Sequence, residues 1–443
     1  MLKKVLGLLV VCGLIVGQAH ARIRIDITNP NADPIPLAIP VLHADSPTDA
    51  DMASDIMNVI TNNFNNSALF EVTDKEAYLQ DSSSLFAGGP VYKDWRLINV
   101  DAVLSAAVKR VIVGGEEKIR VDFHLYDVHD EKPLVGRYYT AKSKDWRHVA
   151  HRISDDIFQA LTGEEGYFAT RIVHIGEEQK PNGHTVKKLC VMDQDGAGYL
   201  CLTDGSHLVL TPRYNREVQK IIYMSYAKGV PRLYLLDLPT GQQTLLGDYK
   251  GLNSSPRFAP DSQTVAMTLT QGHEGNPEIY TMDLNTRKLN RLTRHRAIDT
   301  SPSFSPDGTQ IVFNSDRGGK PSLYVMNRDG TNVRRLTFGK GKYFAPVWSP
   351  RGDLIAFVKS LNGTFHIGVI DVEGNEERLL TDSFLDESPT WSPNGRVIAF
   401  ARQDRRTGRT KIMSIDLTGH NLRELKTPRD ASDPAWSPLI RSE

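Results

Sequence analysis

The chain has 443 residues, of which 40% are hydrophobic and 24% are charged. This is the composition of an ordinary folded protein, and the length allows two or three domains. Lysine and arginine together number 53, as do aspartate and glutamate. Because the charges balance and no long basic run occurs, nucleic acid and anionic membrane surfaces are excluded as bulk partners.

The first residues have the pattern of an export signal. Two lysines precede the short apolar run Val5–Gly17, and the small residues of "AHA" follow it, ending at Ala21. This pattern predicts a Sec-type signal peptide over residues 1–21, cleaved after Ala21, and a periplasmic mature protein. The apolar run is too short for a transmembrane helix, so we expect a chain that does not span the membrane.

Residues 22–34 and 35–163 differ in pattern from the rest of the chain. The first segment is strand-like and then broken by prolines, which indicates an N-terminal arm. In the second, apolar residues at helical spacing follow Thr48, a candidate N-cap, and a later amphipathic helix ends at Gly163. These features predict a small α/β domain.

Cys190 and Cys201 flank the segment "VMDQDGAGYL", whose centre is typical of a hairpin turn. Such a hairpin would place the two cysteines opposite each other, at a separation that a disulfide can span. A disulfide would suit an oxidising compartment. The alternative left open is a pair of small apolar residues in a sheet core.

A phrase of the form "SPSFSPDG" occurs six times in residues 164–443. The first prolines of the six copies, 43 to 46 residues apart, are at positions 212, 256, 302, 346, 389 and 434. This period, with short strands and turn signals, is typical of a β-propeller with one four-stranded blade per repeat. The last copy has only an inner strand, and the segment 169–176 lacks one. The predicted fold is therefore mainly β, a six-bladed β-propeller closed by the C-terminal strand and preceded by an α/β domain.

No catalytic constellation is recognisable in the sequence. Neither G-x-S-x-G nor H-E-x-x-H occurs. The pairs His124/His129 and His148/His151 lack a third ligand and predict no metal site. Carboxylates stand mainly in turns, which explain them. We therefore expect a binding protein without enzymatic activity or cofactor, with a divalent cation in the propeller funnel as an alternative.

The two faces of the predicted propeller differ. Turns between the first and second strands, and between the third and fourth, are short and alike, whereas the loops between blades differ in every copy. Loops that serve a partner are free to differ in this way. The variable loops are 249–254, 293–300, 339–344, 381–387 and 426–432. Their mixed charges favour a protein or peptide partner.

The layout resembles the TolB family, the periplasmic propeller proteins of the Tol–Pal system in Gram-negative bacteria. The matching motifs are "RIRIDI" after the signal, "LTGEEGYFATRI" (161–172), "FLDESP" (384–389) and the final "PAWSPL". The resemblance implies a non-catalytic adaptor that binds the Pal lipoprotein through the propeller funnel and TolA through the arm. Such an adaptor helps to maintain outer-membrane integrity and constriction during cell division.

The resemblance also implies two sets of site residues. Positions just before the repeated serine-proline would face Pal: Asn253, Ser255, Asp299, Thr300, Phe344, Asp386 and Glu387. The arm would contact TolA through Arg22, Ile23, Arg24, Ile25 and Asp26. Leu252 stands where the family often has histidine. Further candidate partners are other Tol-system or outer-membrane proteins, and we expect a monomer. The alternative function is an exported sensor propeller that binds a ligand or a cation.

Overall fold

The structure is a computed structural model that describes residues 33–215, 217, 219–249, 251, 253–271 and 275–441. The predicted signal peptide, the arm residues Arg22–Asp26 and Leu252 lie outside these ranges. No helix within them combines the length and the apolar character needed to cross a membrane.

The N-terminal part is built on one mixed sheet in the order β3-β1-β4-β5-β6, with β2 paired to β4. Strand β1 is parallel to both neighbours, and β4, β5 and β6 form an antiparallel meander. The strands are β1 (Ile35–Ala38), β2 (His43–Ala44), β3 (Phe70–Val72), β4 (Ala102–Val113), β5 (Glu116–Asp127) and β6 (Lys132–Ala141).

Helices cover this sheet, and their apolar faces form its core. They are α1 (Pro47–Asn65), α2 (Ser82–Gly88), α3 (Tyr92–Leu97) and α4 (Trp146–Thr162), with 3₁₀ turns at Lys75–Ala77 and Ser143–Asp145. The prediction of Thr48 as the cap of α1 is wrong. Ser46 is the N-cap, because Pro47 takes the first helical position and Ser46 Oγ accepts from the Asp49 amide at 3.2 Å. The predicted end of α4 at Gly163 is confirmed, with φ 79°.

The remaining strands form four-stranded antiparallel units. Each repeat gives one unit: β10–β13 (Val209–Tyr214, Lys220–Ser225, Arg232–Asp237, Gln243–Leu245), β14–β17 (Asn253–Phe258, Thr264–Thr270, Pro277–Asp283, Leu289–Arg291), β18–β21 (Asp299–Phe304, Gln310–Ser315, Ser322–Asn327, Arg334–Arg335), β22–β25 (Lys342–Trp348, Leu354–Leu361, Thr364–Asp371, Arg378–Leu379) and β26–β29 (Leu385–Trp391, Val397–Gln403, Thr410–Asp416, Arg423–Leu425). A single parallel pair, Phe365 with Leu385, joins the last two of these units.

The two ends of the repeat region share a unit. The C-terminal strand β30 (Asp430–Trp436) pairs antiparallel with β7 (Arg171–Gln179), which continues to β8 (Thr185–Asp193) and β9 (Leu200–Cys201). Each inner strand contacts the next in the order β10, β14, β18, β22, β26 and β30, and β30 also contacts β10. The six inner strands therefore surround a common centre.

The α/β domain covers one face of the repeat region. We call this the turn face, because it carries the short turns after the first and third strands of each unit. The linker after α4 lies on it, where Arg351 Nη1 donates to Glu164 Oε1 at 3.1 Å and Asn394 Nδ2 donates to the Glu165 carbonyl at 2.9 Å. Asn421 Nδ2 also reaches the carbonyl of Asn66 at 2.7 Å. The opposite face, which we call the loop face, carries the variable loops.

One hydrophobic cluster joins the two parts. It extends from the helices and sheet of the α/β domain through Tyr167 and Phe168 to Trp436 on β30. Trp436 Nε1 also donates to Thr170 Oγ1 at 2.8 Å. The linker is thus part of a shared core, which orients the loop face away from the α/β domain.

Candidate functional site

The six inner strands begin with the same local geometry at the loop face. The residue before the repeated proline has a left-handed φ between 46° and 55° in every unit: Thr211, Ser255, Ser301, Ala345, Ser388 and Asp433. At that point the register with the second strand shifts, as between Thr300 and Ser303. Two residues of the inner strand then lie opposite one residue of the second strand. This is a β-bulge, which changes the direction of neighbouring side chains. The predicted site residue Ser255 is one of these bulge residues.

Three of the predicted site residues are buried. Asn253, Asp299 and Asp386 each stand two positions before a bulge residue and are at most 1% exposed. Asn253 Nδ2 donates to the carbonyls of Tyr249 at 2.9 Å and Gly251 at 3.0 Å. Its amide therefore holds the loop that precedes its own strand.

The two aspartates are paired with arginines. Asp386 accepts from Arg402 Nε at 2.7 Å and from Arg402 Nη2 at 2.8 Å, and Asp299 accepts from Arg317 Nη2 at 2.7 Å. Such pairs hold the start of the inner strand against the end of the second strand. These carboxylates shape the site, and their burial keeps them from direct contact with a partner.

The position between the buried residue and the bulge residue is more accessible. We call these six residues the funnel ring: Leu210, Ser254, Thr300, Phe344, Glu387 and Ser432. Glu387 is exposed, and the others are half-buried except Ser432, which is 8% exposed. Because successive strand residues point to opposite sides, the ring residues face away from the buried set. Thr300, Phe344 and Glu387 were predicted, whereas Leu210, Ser254 and Ser432 were missed, although the repeat alignment could have found them.

Glu387 is the acidic member of the funnel ring. Glu387 is exposed, but the surrounding inner strands partly desolvate its carboxyl group. This desolvation, together with the nearby carboxylates of Asp433 and Glu177, raises the pKa of Glu387, while Lys187 lowers it. Asp433 accepts from Ser388 Oγ at 2.8 Å, across two neighbouring inner strands. One side of the ring is therefore acidic.

Exposed apolar residues stand around the ring on loops from five units. Their side chains are between 38% and 73% exposed: Leu208, Val230, Ile298, Phe338 and Phe384. Exposed cations lie among them, at Arg294, Arg296, Lys340 and Lys342. Apolar residues mixed with charges, on a face that no other part of the described chain covers, have the chemistry of a protein-binding surface. The apolar members were missed because single apolar loop residues carry no sequence signal.

The centre of the repeat region contains a cavity of about 900 Å³ at its turn-face end. Residues of all six inner strands line it. An aromatic residue at the end of each strand lines it: Tyr214, Phe258, Phe304, Trp348, Trp391 and Trp436. Arg213 and Arg257 add positive charge. The carboxylates of Glu165, Glu217 and Asp237 also line the cavity, which is therefore aromatic and carries charges of both signs.

Cys190 and Cys201 are joined by a disulfide. They are directly opposed in the pairing of β8 with β9. The bridge fixes the outer edge of the unit that holds both ends of the repeat region.

A group of side chains that could bind a metal ion lies at the turn face. Within the described ranges, a single group of three side chains has ligand atoms within 4.8 Å of one another: His151, Asp193 and Asp195. The funnel ring has no such group among its described residues. In the sequence, His151 has only His148 nearby and no third ligand, because the two aspartates lie in another part of the chain.

Known proteins match both parts of the chain. The TolB amino-terminal domain family matches residues 23–134, and the TolB beta propeller domain family matches residues 158–440. A Tol-Pal system protein TolB of Paramagnetospirillum magneticum is 47% identical over 234 residues, covering 53% of this chain and 51% of that protein. The chain thus aligns with about half the length of this curated relative.

A solved structure extends the match. The crystal structure of TolB from Acinetobacter baumannii superimposes with a TM-score of 0.80 at 29% identity, covering 92% of this chain and 97% of that one. The relatives are named as Tol–Pal system proteins and not as enzymes, in agreement with the predicted non-catalytic role. Since the propeller family alone matches more than half of its residues, the chain belongs to the TolB family.

Proposed function

We propose that this chain is a periplasmic adaptor that holds Pal at its loop face and TolA through its N-terminal arm. In this role it would help to maintain the outer membrane and its constriction during cell division. The observation that carries the proposal is the open loop face, with its funnel ring and exposed apolar residues, opposite the face covered by the α/β domain. Membership of the TolB family and the similarity to a Tol-Pal system protein support this choice of partners.

The same proposal includes a closed six-bladed propeller as the scaffold. It is supported by the six four-stranded units, by the pairing of β30 with β7, and by the contact of β30 with β10. In a closed ring the inner strand edges are short and enclosed by neighbouring blades, so the ring can present a rigid rim to a partner.

The Pal site is tested by changing the funnel ring without changing the buried set. Thr300→Ile with Glu387→Lys adds bulk and reverses a charge at two accessible positions. We expect the affinity for purified Pal to fall more than about tenfold in calorimetric titration, because central interface residues carry most of the binding energy. The melting temperature should stay close to that of the parent.

Glu373→Lys is the matched control. Glu373 is exposed on the turn face, in the turn between β24 and β25, so the same charge reversal is made away from the loop face. This variant should bind Pal like the parent. Equal affinity of the parent and the double variant would refute the loop-face site and favour the alternative of a ligand-binding sensor.

The arm is tested separately. Deleting residues 22–33 should abolish capture of TolA, while the folded domains keep their melting temperature. The control is to replace Arg22 and Arg24 by glutamine, which keeps the length of the arm and removes two of its positive charges. Unchanged capture of TolA by the deletion variant would refute the role of the arm and leave the Pal site untouched.

A further inference from the structure

A buried histidine of the α/β domain faces two carboxylates of the repeat region. His151 lies on α4 and is 3% exposed. Its Nε2 atom is 4.0 Å from Asp193 Oδ2 and 3.9 Å from Asp195 Oδ2. These distances are too long for hydrogen bonds, and Nε2 has no hydrogen-bond partner. A nitrogen atom buried without a partner between two carboxylates calls for an explanation.

We infer that His151, Asp193 and Asp195 form a site for a divalent transition-metal ion, with Zn²⁺ as the best match, between the α/β domain and the propeller. Zinc binds imidazole nitrogen at about 2.0–2.1 Å and carboxylate oxygen at about 2.0–2.2 Å, so tetrahedral ligand atoms lie about 3.4 Å apart. The two distances from His151 Nε2 exceed that spacing by about half an ångström, and all three ligand atoms lie within 4.8 Å of one another. The imidazole favours a borderline metal over Ca²⁺ or Mg²⁺, which prefer oxygen ligands.

The two carboxylates are held in place by a tight turn. Asp195 Oδ1 accepts from the Ala197 amide at 3.1 Å, and the Gly196 amide donates to the Asp193 carbonyl at 2.9 Å. Gly196 has a φ of 90°, and a Cβ there would lie 2.6 Å from the Lys426 carbonyl oxygen. The turn therefore requires glycine, and it presents both carboxylates from a rigid edge of the propeller.

The other ring nitrogen of His151 is also anchored. Nδ1 is 3.0 Å from Asn63 Nδ2, and Asn63 Oδ1 accepts from Gln194 Nε2 at 2.9 Å. A histidine that binds metal through Nε2 must carry its proton on Nδ1 and donate it to a neighbour. Reversing the two amides meets this need, since the oxygen and nitrogen of an amide exchange places. Asn63 Oδ1 then accepts from Nδ1, and Gln194 Oε1 accepts from Asn63 Nδ2. Ser154 Oγ, which accepts from Asn63 Nδ2 at 2.9 Å before the reversal, donates to Asn63 Oδ1 after it, and Gln194 Nε2 takes the unpartnered position that Oε1 had.

Two arginines compete with a metal ion at this site: Arg171, whose Nε atom is 3.6 Å from Asp193 Oδ1, and Arg147. The Nη2 atom of Arg147 is 2.6 Å from Asp195 Oδ2, and its Nε atom is 3.4 Å from Asp193 Oδ2. Each carboxylate oxygen has two lone pairs, so it can accept from arginine and also bind metal. The positive charge of Arg147 lowers the affinity for a second cation. We therefore expect weaker binding than at a site of thiolate ligands.

The site is tested with Zn²⁺ alone and the mature protein after treatment with a chelator. Calorimetric titration should give one Zn²⁺ per chain, and His151→Gln or Asp195→Asn should each weaken binding more than about tenfold. Arg147→Gln removes the competing charge and should tighten binding. His129→Gln is the control, because His129 Nε2 also lies beside a carboxylate, 2.8 Å from Asp101 Oδ1, but outside the group of three.

Folding is followed in parallel. Zn²⁺ should raise the melting temperature of the parent and of His129→Gln, and leave that of His151→Gln unchanged, because only the first two bind it. Should one variant fail to fold, X-ray absorption of the parent with Zn²⁺ must still give nitrogen and oxygen ligands at about 2.0–2.2 Å. Binding by the parent no tighter than by His151→Gln would overturn the site. The test involves neither Pal nor TolA, so its outcome is independent of the proposed function.

Discussion

Asp386 and Arg402 form a bidentate ion pair beside the funnel ring, with N–O distances of 2.7 and 2.8 Å. Asp386 is fully buried, and Arg402 also lies over the ring of Phe400. The neighbouring Glu387 is exposed and is the residue that a partner can reach. Adjacent carboxylates in one strand therefore have different roles.

The first prediction separates these roles. Asp386→Ala leaves the Arg402 guanidinium without its partner and should lower the free energy of unfolding by about 3 kcal/mol in urea denaturation. Glu387→Ala changes an exposed side chain and should cost less than about 0.5 kcal/mol. Equal stability of the two variants would contradict the structural role of Asp386.

A second prediction concerns the joint between the two domains. Asp155 on α4 accepts from the amides of Phe168 at 2.7 Å and Ala169 at 3.0 Å. Burial raises the pKa of Asp155 to about 7, although these two hydrogen bonds lower it. The folded state thus holds a proton that the unfolded chain releases near pH 4. The free energy of unfolding should therefore fall from about pH 4 to about pH 7, by up to about 1.4 kcal/mol per pH unit.

Asp155→Asn removes this titration while keeping the shape of the side chain. Melting temperatures of the parent and the variant are measured between pH 4 and pH 8. Their difference should change with pH from about pH 4 to about pH 7 and stay constant above that. A difference that is constant over the whole range would show that Asp155 has an ordinary pKa.

The same joint makes a third prediction at Gly166. A Cβ on this residue would lie 2.2 Å from Asp155 Oδ1 and 2.6 Å from Asp155 Cα. Since the backbone of α4 cannot yield easily, Gly166→Ala should destabilise the protein by about 1–3 kcal/mol, as measured in urea. Gly88→Ala is the control, because a Cβ there meets nothing within 4 Å. If Gly166→Ala and Gly88→Ala have the same free energy of unfolding, the packing of Gly166 against α4 is looser than these distances indicate.

The disulfide gives a fourth prediction. Cys190 and Cys201 are separated by 11 positions, so the bridge closes a short loop. Replacing both by alanine should lower the free energy of unfolding by about 3 kcal/mol, chiefly by releasing the unfolded chain. A reductant should destabilise the parent and leave the variant unchanged. Two thiols that react freely with an alkylating agent in the oxidised protein would contradict the bridge.

Local signals explain how much of this molecule could be predicted. Proline and glycine at the turns and the period of the repeat predicted the four-stranded units, and the two incomplete ends predicted the pairing of β30 with β7. The bulges could not be predicted, because the left-handed residues are not glycines. As a result, Asp299 and Asp386 were placed in an accessible loop although both are buried in strands.

Contacts between the α/β domain and the repeat region, in contrast, could not be predicted from the sequence. His151 meets Asp193 and Asp195 only because α4 docks on the turn face, which is a property of the assembled domains. In the same way, the exposed apolar residues Ile298 and Phe338 can be recognised as part of one surface only when the positions of their loops are known. The sequence therefore predicted which face carries the variable loops, and the structure was needed to separate the accessible residues of that face from the buried ones.

The last prediction concerns the C-terminal strand. Deleting residues 430–443 removes β30, which leaves β7 as an unpaired edge and removes Trp436 from the core shared with the α/β domain. We expect this variant to aggregate or to lose cooperative unfolding, because an exposed strand edge invites pairing with other chains. Deleting only residues 442–443 is the control and should leave the melting curve unchanged. A truncated chain that stays monomeric and unfolds in one transition would mean that β30 is not needed to complete the ring.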